Sequence, residues 1–251
     1  MQRTQRYAVH DEYDGPVVQV KAATRTYRNG GDVVHAVRDI SVEVPASTMV
    51  LVQGKSGSGK TTLLNLMGGL ERPSSGSVVY KGREFSRYTR RQTTVWRRTE
   101  AGFVFQSLAL LPGLTAIENV DLAARIAGVG PREAIRRAEY YLHALGLTAR
   151  ASHRVSELSG GEQQRVAVAR GLVTEPKILF ADEPTGELDH ALSRRVMDIL
   201  RAVVDEKKTT ICLTSHDPAV IAYADVVWTL SDGAITSMQP RSRDSREGSS
   251  E

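Results

Sequence analysis

Residues 49–61, MVLVQGKSGSGKT, join a short apolar run to a glycine-rich stretch that ends in lysine and threonine. The run 49–53 predicts a buried strand, and residues 62–70 predict a helix directly after the glycines. Glycines in such a turn let backbone N–H groups converge on an anion, and the N-terminus of the helix favours negative charge at the same point. The stretch therefore predicts a phosphate-binding loop formed by Gly54, Lys55, Ser56, Gly57, Ser58, Gly59, Lys60, Thr61 and Thr62.

Two side chains at the end of this loop suit a nucleoside triphosphate. Lys60 supplies a point charge for the terminal phosphates, and the Thr61 hydroxyl can ligate Mg²⁺. The alternative is a chance glycine-rich turn, which at ordinary glycine usage would give the bare pattern in roughly one chain in a hundred of this size. The predicted strand before the loop and the helix after it make that alternative rarer still.

A second apolar run ends in two carboxylates. Residues 177–181 predict a strand, and Asp182 and Glu183 follow it. At the C-terminal edge of a sheet beside a phosphate loop, Asp182 would hold Mg²⁺ through water and Glu183 would polarise the attacking water. Taken alone, the pair would more simply be a strand end that enters a solvated turn at Pro184.

The segment 158–165, LSGGEQQR, predicts a helix start. Ser159 suits the N-cap, and Glu162, three residues later, completes a capping box. Capping does not explain Gly160 and Gly161, since each glycine costs a helix about 1 kcal/mol. Bare backbone at a helix N-terminus suits an anion that approaches closely, so the chain has two predicted anion-binding helix starts.

The remaining patterns predict an α/β fold. Further short apolar runs predict strands at 17–20, 40–44, 210–214 and 226–230, and residues 191–205 predict a helix. Continuous apolar strands favour a mostly parallel sheet that is covered on both faces.

The middle of the chain, about 100–172, has helical periodicity and predicts a helical insert in the α/β core. Pro131 suits a helix start and Gly146 its end, and Glu133 with Arg137 forms a favourable i,i+4 pair.

Composition and charge narrow the class of protein. The chain has 251 residues, 41% of them hydrophobic and 25% charged, which is typical of a globular protein. The apolar runs are too short for a membrane span, no secretory signal is recognisable, and the single cysteine, Cys212, excludes an intramolecular disulfide, so we expect a cytosolic location. The polar residues 1–16 predict a flexible arm and residues 239–251 a disordered tail, which leaves a domain at 17–238.

Basic residues are concentrated in one part of a chain whose net charge is only +4. A nucleic-acid patch is one interpretation, and a solvated face, which such runs usually form, is the one we favour. The run interleaves arginines with two aromatic residues: Arg83, Arg87, Tyr88, Arg90, Arg91, Trp96, Arg97 and Arg98.

LSGGEQQR resembles the signature sequence of the ATP-binding cassette (ABC) family, and the resemblance covers about residues 17–238. It implies a P-loop NTPase core with a mostly parallel sheet, a small antiparallel β region and an inserted α-helical subdomain. It also implies ATP and Mg²⁺ as cofactors, ATP hydrolysis and a head-to-tail homodimer. Each of the two ATP molecules would meet the phosphate loop of one chain and the residues Ser159, Gly160, Gly161 and Glu162 of the other.

Further residues take roles from the same resemblance. Gln106, in GFVFQ, matches the Q-loop glutamine that senses Mg²⁺ and the attacking water, and His216, in TSHD, matches the switch histidine that contacts the γ-phosphate. Asp189 matches the D-loop aspartate at the dimer interface, and Tyr27 matches the aromatic residue that stacks on adenine. Any one of these four residues, taken alone, would more simply have a packing or surface role. The assignment depends on the order and spacing of all the motifs along the chain. Glu187 departs from the commoner asparagine of the D-loop.

The segments 102–120 and 181–189 resemble the macrolide-export and lipoprotein-release (MacB/LolD-like) group, of which FtsE is a close relative. The resemblance implies a cassette that is peripheral on the inner face of the cell membrane and drives a separate permease, with no nucleic-acid partner. The cargo and direction of transport are set by that permease. An FtsE-like nucleotide-gated regulator and an importer ATPase share these motifs and are the alternatives.

Overall fold

The computed structural model of the chain describes residues 13–29 and 32–241. Ten strands and six α-helices lie in this part. The strands are β1 (Val18–Asn29), β2 (Asp32–Val44), β3 (Met49–Gln53), β4 (Ser75–Tyr80), β5 (Arg83–Glu84), β6 (Ala101–Val104), β7 (Ile178–Asp182), β8 (Thr210–Thr214), β9 (Val226–Ser231) and β10 (Ala234–Pro240). The helices are α1 (Lys60–Met67), α2 (Arg90–Thr99), α3 (Ala116–Ile126), α4 (Pro131–Ala144), α5 (Gly160–Leu172) and α6 (His190–Lys207).

The core is a six-stranded sheet in the order β10-β9-β3-β8-β7-β6. Strands β9, β3, β8, β7 and β6 are parallel, and β10 is antiparallel at one edge. All residues of β7 and β8 are buried, as expected for parallel strands that are covered on both faces. The predicted fold class is confirmed, and strands 49–53 and 210–214 have the predicted bounds.

A smaller antiparallel sheet in the order β2-β1-β4-β5 packs beside the core. Alternate residues of β3 divide the interior into two clusters. Met49 and Leu51 pack with α3, α4, α5 and α6, whereas Val50 and Val52 pack with α1 and with the small sheet. Strand β3 is therefore covered on both faces, and this packing holds in place the point at which the glycine-rich loop begins.

The helical insert begins later than the predicted residue 100. Residues 101–104 form β6, which pairs in parallel with β7 in the core sheet. Four residues are too few for periodicity to separate a strand from a helix, and here pairing with β7 decides. Helices α3, α4 and α5 form the insert, with Pro131 as the first residue of α4 and Gly146 just beyond its end, as predicted.

The predicted tail also begins too early. Gln239 and Pro240 belong to β10, where they pair with Val227 and Val226. Their strand lies at an edge of the sheet, where proline is tolerated. The rest of the predicted tail, 242–251, and most of the predicted arm, 1–12, lie outside the described residues. Within the described part, no helix has the length and hydropathy that a bilayer span requires.

Candidate functional site

The sheet order brings the predicted chemical groups to one edge. Strands β3, β8 and β7 are neighbours, so their C-terminal ends carry the glycine-rich loop, His216 and the pair Asp182–Glu183 to adjacent positions. Ligands in open parallel sheets bind at this edge. The cleft there is lined by Ala36, Ser56, Gly57, Gly59, Lys60, Thr61, Thr62, Gln106, Asp182, Glu183 and His216.

The Lys60 side chain is buried within the glycine-rich loop, at the first turn of α1. Its Nζ donates hydrogen bonds to the carbonyl oxygens of Gly54 at 2.8 Å and Lys55 at 3.0 Å. A third ammonium hydrogen is free for an anion in the cleft, because an ammonium has three donors. Gly57 lines the cleft, and a side-chain carbon on it would meet no other atom within 4 Å. A phosphate fits this cradle.

Asp182 is held by a hydroxyl on each side. The Thr61 hydroxyl donates to Oδ2 and the Thr214 hydroxyl donates to Oδ1, each at 2.7 Å. Hydroxyl and carboxylate oxygens are the ligands that Mg²⁺ favours, and Mg²⁺ sites commonly combine one or two such groups with phosphate oxygens and water. The pair Thr61 and Asp182 therefore fits Mg²⁺ beside the loop.

Glu183 occupies a constrained position between β7 and β8. Its backbone has φ +52°, a left-handed conformation that costs a non-glycine residue of order 1 kcal/mol. Its N–H donates to the Thr214 hydroxyl at 2.9 Å, and its carbonyl accepts from Nε2 of Gln164 at 3.1 Å. Both bonds hold the backbone from which the carboxylate extends.

The Glu183 carboxylate lies 3.1 Å from Nε2 of His216. Burial raises the pKa of Glu183 above its ordinary value; His216 and Lys60 oppose this shift and Asp182 adds to it. A carboxylate with a raised pKa, in a cleft, beside a histidine, suits a general base.

The second predicted anion site lies at the start of α5. The predicted capping box is confirmed: Glu162 N–H donates to the Ser159 hydroxyl at 3.3 Å, and Ser159 N–H donates to the Glu162 carboxylate at 2.8 Å. Hydrogen bonds from the Ser159 backbone and hydroxyl, and from Arg150, lower the pKa of Glu162. Ser159 and Gly160 are exposed, and neither lines the cleft described above.

The other predicted residues take separate positions. Gln106 lines the cleft just after β6. Asp189 caps α6 by accepting from the Leu192 N–H at 2.9 Å. Tyr27, on β1, does not line the cleft; its hydroxyl donates to Glu71 at 2.5 Å.

Three residues that organise the cleft were not predicted from the sequence. Thr214 and Gln164 stand inside predicted stretches, TSHD and LSGGEQQR, and their side chains bond to the residues at the end of β7. Ala36 lies on β2 and belongs to no recognisable motif. It reaches the cleft only because β2 packs against the loop.

The family model described as ABC transporter matches residues 37–186. This chain belongs to the ABC transporter family. It is 40% identical over 219 residues to the lipoprotein-releasing system ATP-binding protein LolD of Idiomarina loihiensis, which covers 87% of the chain and 96% of LolD. It is 41% identical over 224 residues to the macrolide export ATP-binding/permease protein MacB of Wolinella succinogenes, which covers 89% of the chain but 35% of MacB.

Solved structures of ABC cassettes share the fold of this ABC protein. The dimeric ATP-binding cassette MJ0796, in a post-hydrolysis state bound to ADP and Pi, matches with a TM-score of 0.86 at 33% identity, covering 90% of this chain and 99% of the other. The cassette CbiO1 of Clostridium perfringens, part of a transporter complex, matches with a TM-score of 0.76 at 27% identity, covering 90% of this chain and 89% of the other. The protein is an ATP-binding and ATP-hydrolysing subunit of an ABC transporter.

Proposed function

We propose that the chain works as a homodimer with two composite ATP sites and drives a separate membrane permease in lipoprotein release or export. LolD supports this assignment, because it is named as the ATP-binding protein of a lipoprotein-releasing system and the match covers nearly all of both proteins. MacB supports export more weakly, because this chain spans about a third of it. On this proposal the protein is cytoplasmic and lies on the inner face of the cell membrane through its permease.

The observation that carries the composite site is the exposed helix start at Ser159 and Gly160. This helix start does not line the chain's own cleft, and a helix N-terminus favours a bound anion. In the cleft itself, the hydrogen-bond donors for a phosphate come from the glycine-rich loop, which lines one side. A second copy placed head to tail would bring the helix start of one chain to the phosphates in the cleft of the other.

Each residue of the cleft has a task in hydrolysis of the γ-phosphate. Mg²⁺, when bound, would neutralise charge on the β- and γ-phosphates. Thr61, Asp182 and Gln106 would hold it, Asp182 through water. Lys60 would bind the terminal phosphates with its remaining donor, and the partner's Ser159 would add a further one.

Glu183 would orient the attacking water and accept its proton. Its bonds to Thr214 and Gln164 hold the backbone of Glu183 in place, and its raised pKa increases the basicity of the carboxylate. His216 would hold the closed geometry by contact with the γ-phosphate. Asp189 would cross to the partner at the dimer interface, and Tyr27 would turn from Glu71 to stack on adenine.

The variant Glu183→Gln tests the proposal. It keeps the shape of the side chain but removes the base, so we expect kcat to fall by about 100-fold or more while ATP still binds. With ATP and Mg²⁺, this variant should elute from a size-exclusion column as a dimer. Glu206→Gln, at an exposed position near the end of α6, is the matched control and should behave as the unmodified protein does. A Glu183→Gln variant that stays monomeric with ATP and Mg²⁺ would contradict the composite site.

A further inference from the structure

Helix α2 buries its aromatic side and exposes its arginines. Trp96 is 4% exposed and packs edge-on against Tyr80 and Phe85, with ring centroids 4.9 and 4.7 Å apart. At 100° per residue, Arg90, Arg91 and Arg98 lie on the side of the helix opposite Trp96. We name this exposed surface of α2 the basic face: Arg90, Arg91 and Arg98.

The arginines of the basic face have almost no acidic partners. Helix α2 contains no acidic residue, and among the described residues no acidic side chain forms an ion pair with Arg90, Arg91 or Arg98. Three arginines on other helices, by contrast, have close acidic partners. The pairs Arg125–Asp121, Arg136–Glu133 and Arg201–Asp205 have distances of 2.6, 2.7 and 2.7 Å.

The charge of the molecule is concentrated here. Residues 81–99 carry seven basic side chains and one acidic side chain, a net charge of +6, whereas the whole chain carries +4. The remainder therefore has a net charge of −2. Like charges on one helix face repel each other, and an anionic partner would remove this cost.

We propose that the basic face binds the anionic phospholipid headgroups of the membrane surface. A polybasic amphipathic helix is attracted to such a surface, and here its apolar side is already used inside the protein, so the contact is electrostatic. The proposal rests on the proposed function only for the location of the protein beside a membrane. The contact would hold the cassette against the bilayer next to its permease.

The structure favours lipid over single-stranded nucleic acid as the partner, and competition with duplex DNA tests the double-stranded case. Single-stranded nucleic acids bind where exposed aromatic rings stack on bases, and Trp96 is buried under the helix. Tyr88 packs edge-on against Phe85, with centroids 5.6 Å apart, and is half-buried. The basic face thus offers guanidinium groups without a stacking platform.

The test uses the full chain and phosphatidylcholine vesicles with or without phosphatidylglycerol. A variant with Arg90→Gln, Arg91→Gln and Arg98→Gln is compared with a control with Lys21→Gln, Arg132→Gln and Arg194→Gln, which loses the same charge from exposed positions elsewhere. Unmodified protein should sediment with the phosphatidylglycerol vesicles and not with phosphatidylcholine alone. Each arginine lost should weaken binding about fivefold, and the three together about 100-fold, whereas the control should bind almost as the unmodified protein does.

Salt and competition complete the experiment. Binding should disappear between about 0.1 M and 1 M salt, where the screening length falls from about 10 Å to 3 Å. Equal binding by the two triple variants, or release of the protein from vesicles by a short duplex DNA at equal phosphate concentration, would overturn the proposal. ATPase activity without vesicles should be the same in all three proteins. Failure of the unmodified protein to bind phosphatidylglycerol vesicles, with ATPase activity and ATP-dependent dimerisation intact, would count against the basic face alone. Vesicle binding without ATP-dependent dimerisation would count against the composite site alone.

Discussion

Nε2 of His216 lies 3.1 Å from the carboxylate of Glu183, at the ends of the adjacent strands β8 and β7. The contact joins a base whose pKa is raised by burial to a side chain that opposes that rise. The backbone of Glu183 reaches this position through a left-handed conformation, φ +52°. Burial and this contact together influence the pH range over which the proposed base is ionised.

We expect the ATPase rate to fall in acid at a higher pH than an ordinary glutamate would give. The carboxylate must be ionised to accept a proton from water, and burial raises the pKa of Glu183 above its ordinary value of 4.5. Activity is thus lost as the pH falls through this raised pKa. His216→Ala removes a neighbour that lowers the pKa, so the acid limb of its residual activity should move to still higher pH. A pH–kcat profile with an unmoved acid limb in His216→Ala would show that the contact does not tune the base.

Much of the fold could be predicted from local sequence. Residues 49–53 and 210–214 are continuous apolar runs, and a strand buried on both faces leaves such a run unbroken. The capping box of Ser159 and Glu162 was predictable because it depends on residues three apart. Strand β6 was not, because its four residues become a strand only by pairing with β7.

The candidate site divides in the same way. The loop, the acidic pair and the signature stretch are motifs with fixed spacing, so the sequence indicates them directly. Thr214 and Ala36 act through tertiary contacts instead: the first bonds to Asp182, 32 residues away, and the second approaches the loop from β2. Such contacts leave no periodic or spaced signal in the chain.

Thr214→Val should impair both stability and Mg²⁺ use. Thr214 is fully buried, and its hydroxyl donates to Asp182 and accepts from the Glu183 N–H. Valine keeps the shape but leaves both partners unsatisfied, at about 1–3 kcal/mol. The Mg²⁺ concentration for half-maximal ATPase activity should rise about 10- to 100-fold, since Asp182 loses a bond that orients it.

Thr214→Ser is the matched control for this prediction. Serine keeps the hydroxyl and loses one methyl group, so its Mg²⁺ requirement should stay near that of the unmodified protein. Denaturant unfolding gives the stability of both variants, and a Mg²⁺ titration of ATPase activity gives the requirement. Equal Mg²⁺ requirements in the valine and serine variants would contradict the role of the hydroxyl.

Glu187→Asn should tighten the ATP-dependent dimer. A carboxylate oxygen of Glu187 lies 3.6 Å from the point where a side-chain carbon on Gly160 would stand, beside the proposed anion-binding helix start. Its charge opposes the approach of the partner's nucleotide. Removing one unit charge near 4 Å in water is worth about 1 kcal/mol, or about fivefold in the ATP concentration for dimerisation.

The measurement is an ATP titration of dimer formation in the Glu183→Gln background, at low and high salt. The gain should vanish near 1 M salt, because screening then acts within about 3 Å. Glu206→Gln removes the same charge near the far end of α6, about 24 Å along the helix from its start, and should give no gain. A gain that persists at high salt would assign the effect to packing rather than charge.

Two glycines of the phosphate loop should respond differently to alanine. A side-chain carbon on Gly59, where φ is +103°, would lie 2.0 Å from the Ala36 carbonyl oxygen, a backbone atom of β2 that cannot move aside alone. The same change at Gly57, where φ is +76°, meets no atom within 4 Å. Gly57→Ala should therefore cost only the left-handed conformation, about 1–2 kcal/mol. Because Gly57 lines the cleft, we also expect weaker ATP binding.

Gly59→Ala should instead disrupt the packing of the loop against β2. We expect its loss of stability to exceed that of Gly57→Ala by several kcal/mol, since overpacking against a fixed backbone adds to the conformational cost. Denaturant unfolding without nucleotide separates this loss from the effect on ATP binding, which equilibrium titration with ATP measures for any variant that folds. Similar stabilities in the two variants would mean that β2 yields at Ala36, and that the small sheet does not hold the loop in place.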